Sequence, residues 1–455
     1  MTEQQQPMRD VEEPSTARLL VGCDYNEDLL TAESAGWNVQ RLLWFAEDDD
    51  VLLLPVEPEA AFVDYVFGLT GVDSSTVKVV VPSSGDGAPP SLSGRRLRDP
   101  DLLGRLEKAL DRRRITSVQA LWTDRRVVDL ASALGAVDAL AGHRFFAEGG
   151  DTLANSKAVF RAVAAGVGLA IPEGAVCLTL KRAVDIAERL LTDGPIIVKH
   201  EFGSGGAGND IVTTSAGLRP IGAARMAVLA SSQLVGSYLG ERWDGLTDGG
   251  RHALVVERYF PESMAVFAEF TIGGDGVRLG GQGQLMSLPH EVMSEIIPAV
   301  NIDPLLVGRV IEGGAKLCEG LRAIGYRGVL SADAIVTPHG EVYFTEYNGR
   351  YTGSTHTYAV IGEKLVGPNY ADDCVIVERL ETKAWSTSSF SDAVTALTAS
   401  GLAYDPATRR GVIYVHPFDP HSNSVPYCVV AENPEAAADI EMRLGEMFRF
   451  APPLP

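Results

Sequence analysis

The sequence of 455 residues contains no apolar run approaching the roughly 18 residues that a membrane-spanning helix needs. Its polar, acid-rich opening, MTEQQQPMRDVEEPSTA, is followed by no apolar core of signal-peptide length, so neither membrane insertion nor export is expected. Basic residues are the minority charge, with 39 Lys and Arg against 60 Asp and Glu and a formal net charge of −21. That balance argues against general binding to nucleic acid or to an anionic membrane, though it leaves room for a locally basic pocket. Cysteine is sparse: Cys23, Cys177, Cys318, Cys374 and Cys428 are odd in number, scattered and without a CxxC pair. A disulfide framework, a zinc site and a CxxC redox centre are therefore not expected, and a reducing cytoplasm is the simplest setting. There is also no GxxxxGK[ST] phosphate loop, no internal repeat and no long low-complexity tract.

What is present describes a globular α/β chain. Hydrophobic residues make up 45%, and the length exceeds one ordinary core, so roughly two to four domains or subdomains are expected. Strands are predicted at 19–22, 51–56, 77–82 and 116–122, with a helix over 102–114 and another over 127–134 behind a Thr123-Asp124 cap. A first α/β domain spans 1–150 on this reading. A second block, 151–384, opens with one helix over 151–167 carrying Val159, Val163 and Val167 on a face. A helix over 180–191 and strands at 196–199, 211–214, 255–260 and 265–272 follow, then a helix over 305–324. The tail, 385–455, reads as a small α/β unit with a helix over 393–402, strands at 412–415 and 427–431, and a last helix capped at Asn433-Pro434.

The stretch GVLSADAIVTPHGEVYFTEYNGR, residues 328–350, reads as a hairpin turning at Thr337 to Gly340. Tight pairing sets Val336 against Glu341, Asp333 against Phe344 and Ser331 against Glu346, making Asp333 and Glu346 diagonal neighbours with Asn348 further along the same face. The companions on that face, Val329, Ile335, Val342 and Phe344, are apolar. Two carboxylates about 4 Å apart on such a face repel by roughly 4 kcal/mol at an effective dielectric near 20 unless a cation compensates. An Asp, Glu and Asn set of hard oxygens suits Mg²⁺; the bland alternative is a sheet end with solvated acids.

A second signal is IIVKHEFGSGGAGN, in which Lys199 ends a strand and a glycine loop follows. The literal G-x-G-x-x-G at Gly203, Gly205 and Gly208 fails as a dinucleotide fingerprint, because a β-branched strand follows it instead of a helix. What remains is a flap of backbone N–H groups able to close over phosphates beside Lys199, or a mobile Gly/Ser turn. Lys157, Glu257 to Phe260 and Arg350 carry little meaning singly. His200, His339 and His356 read as structural or solvent-facing.

Taken in order, these pieces over about residues 150–365 resemble the ATP-grasp superfamily. The resemblance implies an ATP-grasp fold with an N-terminal pre-ATP-grasp domain and a small C-terminal α/β domain. It implies Lys157 and Lys199 on phosphates, and Gly203, Ser204, Gly205 and Gly206 in the lid. Val256-Glu257 forms the adenine hinge, with Arg258 and Tyr259 offering backbone groups to the base. Asp333, Glu346 and Asn348 hold Mg²⁺, and Arg350 with Lys199 serves catalysis. The ribose contact stays open, since Glu262 matches only loosely. A finer likeness, in length, in Glu257-Arg-Tyr-Phe260, in Asn348-Gly-Arg350 and in the tail, is to pheganomycin-type peptide ligases. It implies an ATP-dependent enzyme of natural-product (antibiotic) biosynthesis that activates an amino-acid carboxylate as an acyl phosphate and joins it to a peptide amine. In the known type that amino acid bears an amidino or guanidino group. A homo-oligomer is compatible with it. Alternatives are a ligase joining two small metabolites, with an amine or thiol acceptor, and a non-catalytic ATP sensor; a nicotinamide enzyme is disfavoured by the loop context.

Overall fold

In the computed structural model the described residues are 15–23, 36–83, 91–203, 206, 208–288, 291–380, 385–420 and 422–449. The first sheet is parallel, in the order β3-β2-β1-β4, from β1 (Thr16–Val21), β2 (Val51–Leu53), β3 (Lys78–Val80) and β4 (Arg114–Ala120). The central strands β1 and β2 are short, largely apolar and buried, the pattern a parallel sheet requires, whereas β3 and the first half of β4 at its two edges are partly exposed. The Asp124 carboxylate caps the Arg125–Ala133 helix by accepting from Arg126 N and Val127 N.

A five-stranded sheet follows, in the order β5-β9-β6-β7-β8, built from β5 (Gly174–Cys177), β6 (Ile196–His200), β7 (Asn209–Thr213), β8 (Arg225–Val228) and β9 (Leu254–Arg258). It has its own core, where the Leu180–Leu191 helix lays Ala183, Ile186, Ala187 and Leu190 on Val198, Val212 and Val256. The third sheet has eight antiparallel strands in the order β14-β13-β10-β11-β12-β15-β17-β16. They are β10 (Met264–Ile272), β11 (Val277–Leu288), β12 (Glu291–Ile297), β13 (Gly328–Val336), β14 (Val342–Asn348), β15 (Val375–Arg379), β16 (Gly411–Tyr414) and β17 (Tyr427–Ala431).

Three differences from the sequence expectation bear on the site. The helix expected over 151–167 is broken into Gly150–Asn155 and Lys157–Gly166, because Ser156 is extended and its hydroxyl caps the second piece at Val159 N, 3.0 Å. Its most buried face carries Lys157, Phe160, Arg161 and Ala164, while Val163 and Val167 are only partly covered. Sequence reading also passed over β11 and β12. Glycine weakens a strand signal, and at Gly280 and Gly281 a Cβ would fall 2.7 and 2.6 Å from the Tyr358 ring, which lies flat on β11. Finally, the strands of the tail, β16 and β17, pair onto β15 and so continue the large sheet.

Candidate functional site

The hairpin of β13 and β14 turns where expected: Gly340 N donates to Thr337 O (2.9 Å) and Thr337 N to Glu341 O (2.9 Å). Its register differs. Val336 pairs with Val342 and Ala334 with Phe344, and then a bulge at Thr345 shifts the ladder so that Asp333 lies directly opposite Glu346 and Ser331 opposite Asn348. The extra residue also turns Phe344 to the other face, where it packs under the Pro304–Ala323 helix. Asp333, Glu346 and Asn348 thus share one face more closely than the diagonal pairing predicted.

Ser331 Oγ donates to Asp333 Oδ1 (2.7 Å) and Asn348 Nδ2 to Asp333 Oδ2 (3.0 Å). Burial, reinforced by the opposing Glu346, nevertheless pushes the Asp333 carboxyl up to about 7. Burial also opposes ionisation of Glu346, but Lys157 and Lys199 outweigh it and hold its carboxyl below the usual range. The Lys157 ammonium sits 2.9 Å from Glu346 Oε2. Among the described residues no group of three or more His, Cys, Asp and Glu side chains gathers. Two carboxylates with one amide are the donor set of a cation that takes the rest of its shell from water and phosphate, as Mg²⁺ does. The uncompensated charge on Asp333 fits that group.

Lys157 is the first residue of its helix and is buried. Its ammonium also donates to Gly203 O at the start of the lid, and its backbone N–H donates to Glu201 O. Glu201, which sequence reasoning missed, accepts from Ser156 Oγ and from Ala253 N (2.8 Å), tying the lid base to the helix start and β9. Lys199 ends β6 as expected and pairs with the Glu257 carboxylate on β9. Glu257 is 1% exposed and is shared with Arg161, 2.6 Å away. Glu257 therefore bridges Lys199 and Arg161 through its side chain, a contact that spacing alone did not reveal. Arg258 N donates to Glu173 O (2.8 Å) and Tyr259 N to Pro195 O (3.0 Å), so these two N–H groups are engaged within the protein and do not face a base. In the lid, Gly203 and Gly206 are described; Ser204 and Gly205 lie outside the described residues.

Arg350 leaves β14 and donates to Asn155 Oδ1 (2.6 Å), while its guanidinium lies 4.6 Å over the Trp122 ring. Asn155 and Trp122 had no sequence signal. A cavity of about 630 Å³ unites Lys199, Glu257 to Phe260, Asp333, Glu346, Asn348 and Arg350. One wall is apolar, with Pro172, Ile197, Ile221 and Phe260; Phe260 stacks on Tyr343 at 4.7 Å.

Residues 39–136 match the family model of the pre-ATP-grasp domain, and residues 392–444 that of the PGM1 C-terminal domain. Mitochondrial pyruvate carboxylases are similar in sequence. The rat protein is 27% identical over 160 residues, 34% of this chain and 12% of its own length; the human protein is 27% identical over 194 residues, 42% and 14%. The chain thus spans only a small part of these relatives. Among solved structures, an ADP complex of N5-carboxyaminoimidazole ribonucleotide synthetase superimposes with a TM-score of 0.58 at 13% identity, covering 96% of this chain and 98% of that one. Campylobacter jejuni biotin carboxylase with a β,γ-ATP ligand gives 0.59 at 14% identity, 95% and 91%. The biotin carboxylase domain of Hydrogenobacter thermophilus 2-oxoglutarate carboxylase, in complex with MgADP and bicarbonate, gives 0.56 at 13% identity, 97% and 91%. The fold is the ATP-grasp fold with a pre-ATP-grasp domain ahead of it.

Proposed function

We propose that this chain is an ATP-dependent carboxylate–amine ligase that forms ADP and phosphate, and that it joins an amino-acid carboxylate to the amine of a peptide. The observation that carries the reading is the facing pair Asp333 and Glu346, with Asn348 and Lys199, lining one end of a large cavity, with Lys157 paired to Glu346 beside it. ATP lies with its base against the apolar wall of Pro172, Ile197, Ile221 and Phe260. Its phosphates lie between the two lysines and the lid through Gly203 and Gly206.

Phosphoryl transfer to a carboxylate asks the protein chiefly for positioning and charge neutralisation. Lys157 and Lys199 exchange their carboxylate partners for phosphate oxygens, and Arg161 then keeps Glu257 neutralised. Bound Mg²⁺, held by Asp333, Glu346 and Asn348, supplies further neutralisation of phosphate charge. Arg350, aimed by Asn155 and Trp122, stabilises the negative charge that develops on the substrate. Closure of the lid excludes water that would hydrolyse an acyl phosphate. In this reading residues 1–150 and 385–455 flank the 151–384 core and shape the substrate end of the cavity, and the product belongs to peptide natural-product assembly in the cytoplasm.

The test is ADP release with Mg-ATP over a panel of amino acids, with hydroxylamine present to trap acyl phosphate as hydroxamate. Carboxylate-dependent ADP and hydroxamate that disappear in Glu346→Ala and Lys199→Ala are expected. Nucleotide binding without turnover on any carboxylate, with peptide amines added, would contradict the reading.

A further inference from the structure

A cavity of about 680 Å³ lies apart from the large one and shares no lining residue with it. It opens between the His143–Ala147 helix, the Gly150–Asn155 helix and residues 324–327, the turn that follows the Pro304–Ala323 helix. Each of the three gives it an apolar wall: Phe145, Leu153 and Ile324. Phe145 is fixed by its neighbours. Its ring packs edge-on against Phe146 and Tyr326, and a Cβ at Gly150 would fall 2.3 Å from it, so the wall is formed before any ligand arrives.

The charged lining is Arg144, Arg327 and Glu148, with His143 beside them. Arg327 Nη1 donates to two carbonyls, Arg322 O (2.9 Å) and Tyr326 O (2.6 Å). Arg144 is exposed, and neither arginine has a carboxylate partner among the described residues. Two guanidiniums against one carboxylate leave a single net positive charge, before any protonation of His143, on a chain whose net charge is −21.

From this lining we infer that the cavity is a regulatory binding site for a small amphipathic monoanion, an aryl- or alkyl-carboxylate. Its apolar part packs on Phe145, Leu153 and Ile324, and its carboxylate accepts from Arg144 and Arg327, whose planar guanidiniums match a carboxylate's two oxygens. A monoanion balances the lining, whereas a phosphate dianion would exceed it. The site backs onto the strand that carries the acids. Leu153 O accepts from the Tyr347 hydroxyl (2.7 Å), Ala154 O from Gly349 N (2.9 Å) and Asn155 Oδ1 from Arg350 (2.6 Å), so three consecutive residues of one cavity-lining helix hold the end of β14. On the other wall Arg327 leads directly into β13. An occupant touching Leu153 and Arg327 therefore bears on both strands of the hairpin. It holds the helix where Asn155 aims Arg350, so its binding and that of Mg-nucleotide strengthen each other reciprocally. Only this coupling rests on the ligase reading.

The test titrates 4-phenylbutyrate, with 4-phenylbutanol as its neutral counterpart, calorimetrically into the full chain with and without Mg-ADP. The wild type is expected to prefer the carboxylate by about tenfold, the scale of one charge-assisted hydrogen bond. Arg144→Ser, at an exposed side chain, should lower that preference about threefold, and Glu148→Gln should raise it. Mg-ADP should tighten phenylbutyrate binding about fivefold. No binding of the carboxylate, equal affinity for the two compounds, or a preference that survives both Arg144→Ser and folded Arg327→Ser overturns the site. Unchanged phenylbutyrate affinity with Mg-ADP bound overturns the coupling. Failure of Mg-ADP to bind at all would instead overturn the ligase reading, and the carboxylate preference of the nucleotide-free protein then decides the site by itself.

Discussion

Glu257 ties together the Lys199 end of the cavity, since one buried carboxylate sits between Lys199 and Arg161. Arg161 also donates to Pro172 O (3.1 Å), anchoring the segment that enters β5. Arg161→Ala leaves Glu257 with Lys199 alone and takes the donor from Pro172 O, so it is expected to destabilise the protein by about 1–3 kcal/mol in urea unfolding. It should also raise the KM for ATP, because Lys199 is then held more tightly by Glu257. Asp333 gives a pH signature. Its carboxyl titrates near 7 in the folded protein against about 3.9 unfolded, so the folded state binds the proton more tightly. The stability it contributes is full below about pH 4 and is lost as pH rises through 7. Mg²⁺ competes with that proton, so Mg-nucleotide affinity should rise with pH up to about 7 and binding at pH 6 should release protons, read by calorimetry in buffers of different ionisation heat. An Asp333→Asn protein should release none. These residues were legible unevenly. Asp333, Glu346, Asn348, Lys199 and Lys157 were found because their order along the chain matched a known pattern. Arg161, Glu201, Asn155 and Trp122 were not, because each acts by contact across 45 residues or more, which no local periodicity records.

The hairpin and the helix behind it set the geometry at the scale of elements. Tight two-strand pairing predicts the turn but cannot foresee a bulge, which depends on what the strand meets from the other side. Here Thr345 supplies the extra residue: its Oγ1 donates to Asp333 O (3.3 Å) and its carbonyl accepts from Lys199 Nζ (3.4 Å). On the far face, the Pro304–Ala323 helix can approach only because Gly313 and Gly314 leave room for Phe344 and Phe270; a Cβ at Gly313 would fall 2.3 Å from the Phe344 ring. Alanine at an ordinary helical glycine gains about 1 kcal/mol. Gly313→Ala should do the reverse, lowering stability by about 1–3 kcal/mol and shifting the hairpin enough to weaken Mg-nucleotide binding. Chemical denaturation and calorimetry on the one variant check both effects. The break of the first core helix at Ser156 was equally hidden, since the apolar spacing runs through it; Ser156, a good N-cap residue type, was the available signal.

Across the whole molecule the cores are not arranged as the chain is ordered. One cluster packs Leu42, Trp44 and Phe62 of the N-terminal part against Phe390, Tyr414 and Val415 of the tail. Trp44 Nε1 donates to Val415 O (3.0 Å), and Trp37 Nε1 to Phe418 O (3.2 Å). Among the described residues, only the five-stranded sheet has a core drawn entirely from one stretch, Cys177 to Val256. Hydrogen exchange should therefore show that stretch opening separately and gaining protection with Mg-ATP analogues, whereas the N-terminal part and the tail should exchange together. Truncation after residue 384 should leave the N-terminal core exposed and the protein insoluble. No helix among the described residues is long and apolar enough to cross a membrane.

The most direct test of the central claim follows an oxygen atom. With the amino acid labelled in its carboxylate by oxygen-18, turnover with Mg-ATP and an amine should deliver label into inorganic phosphate, because the bond formed in the acyl phosphate is broken on the carbon side when the amine attacks. Label recovered in AMP, or phosphate that carries none while amide accumulates, would contradict an acyl-phosphate ligase.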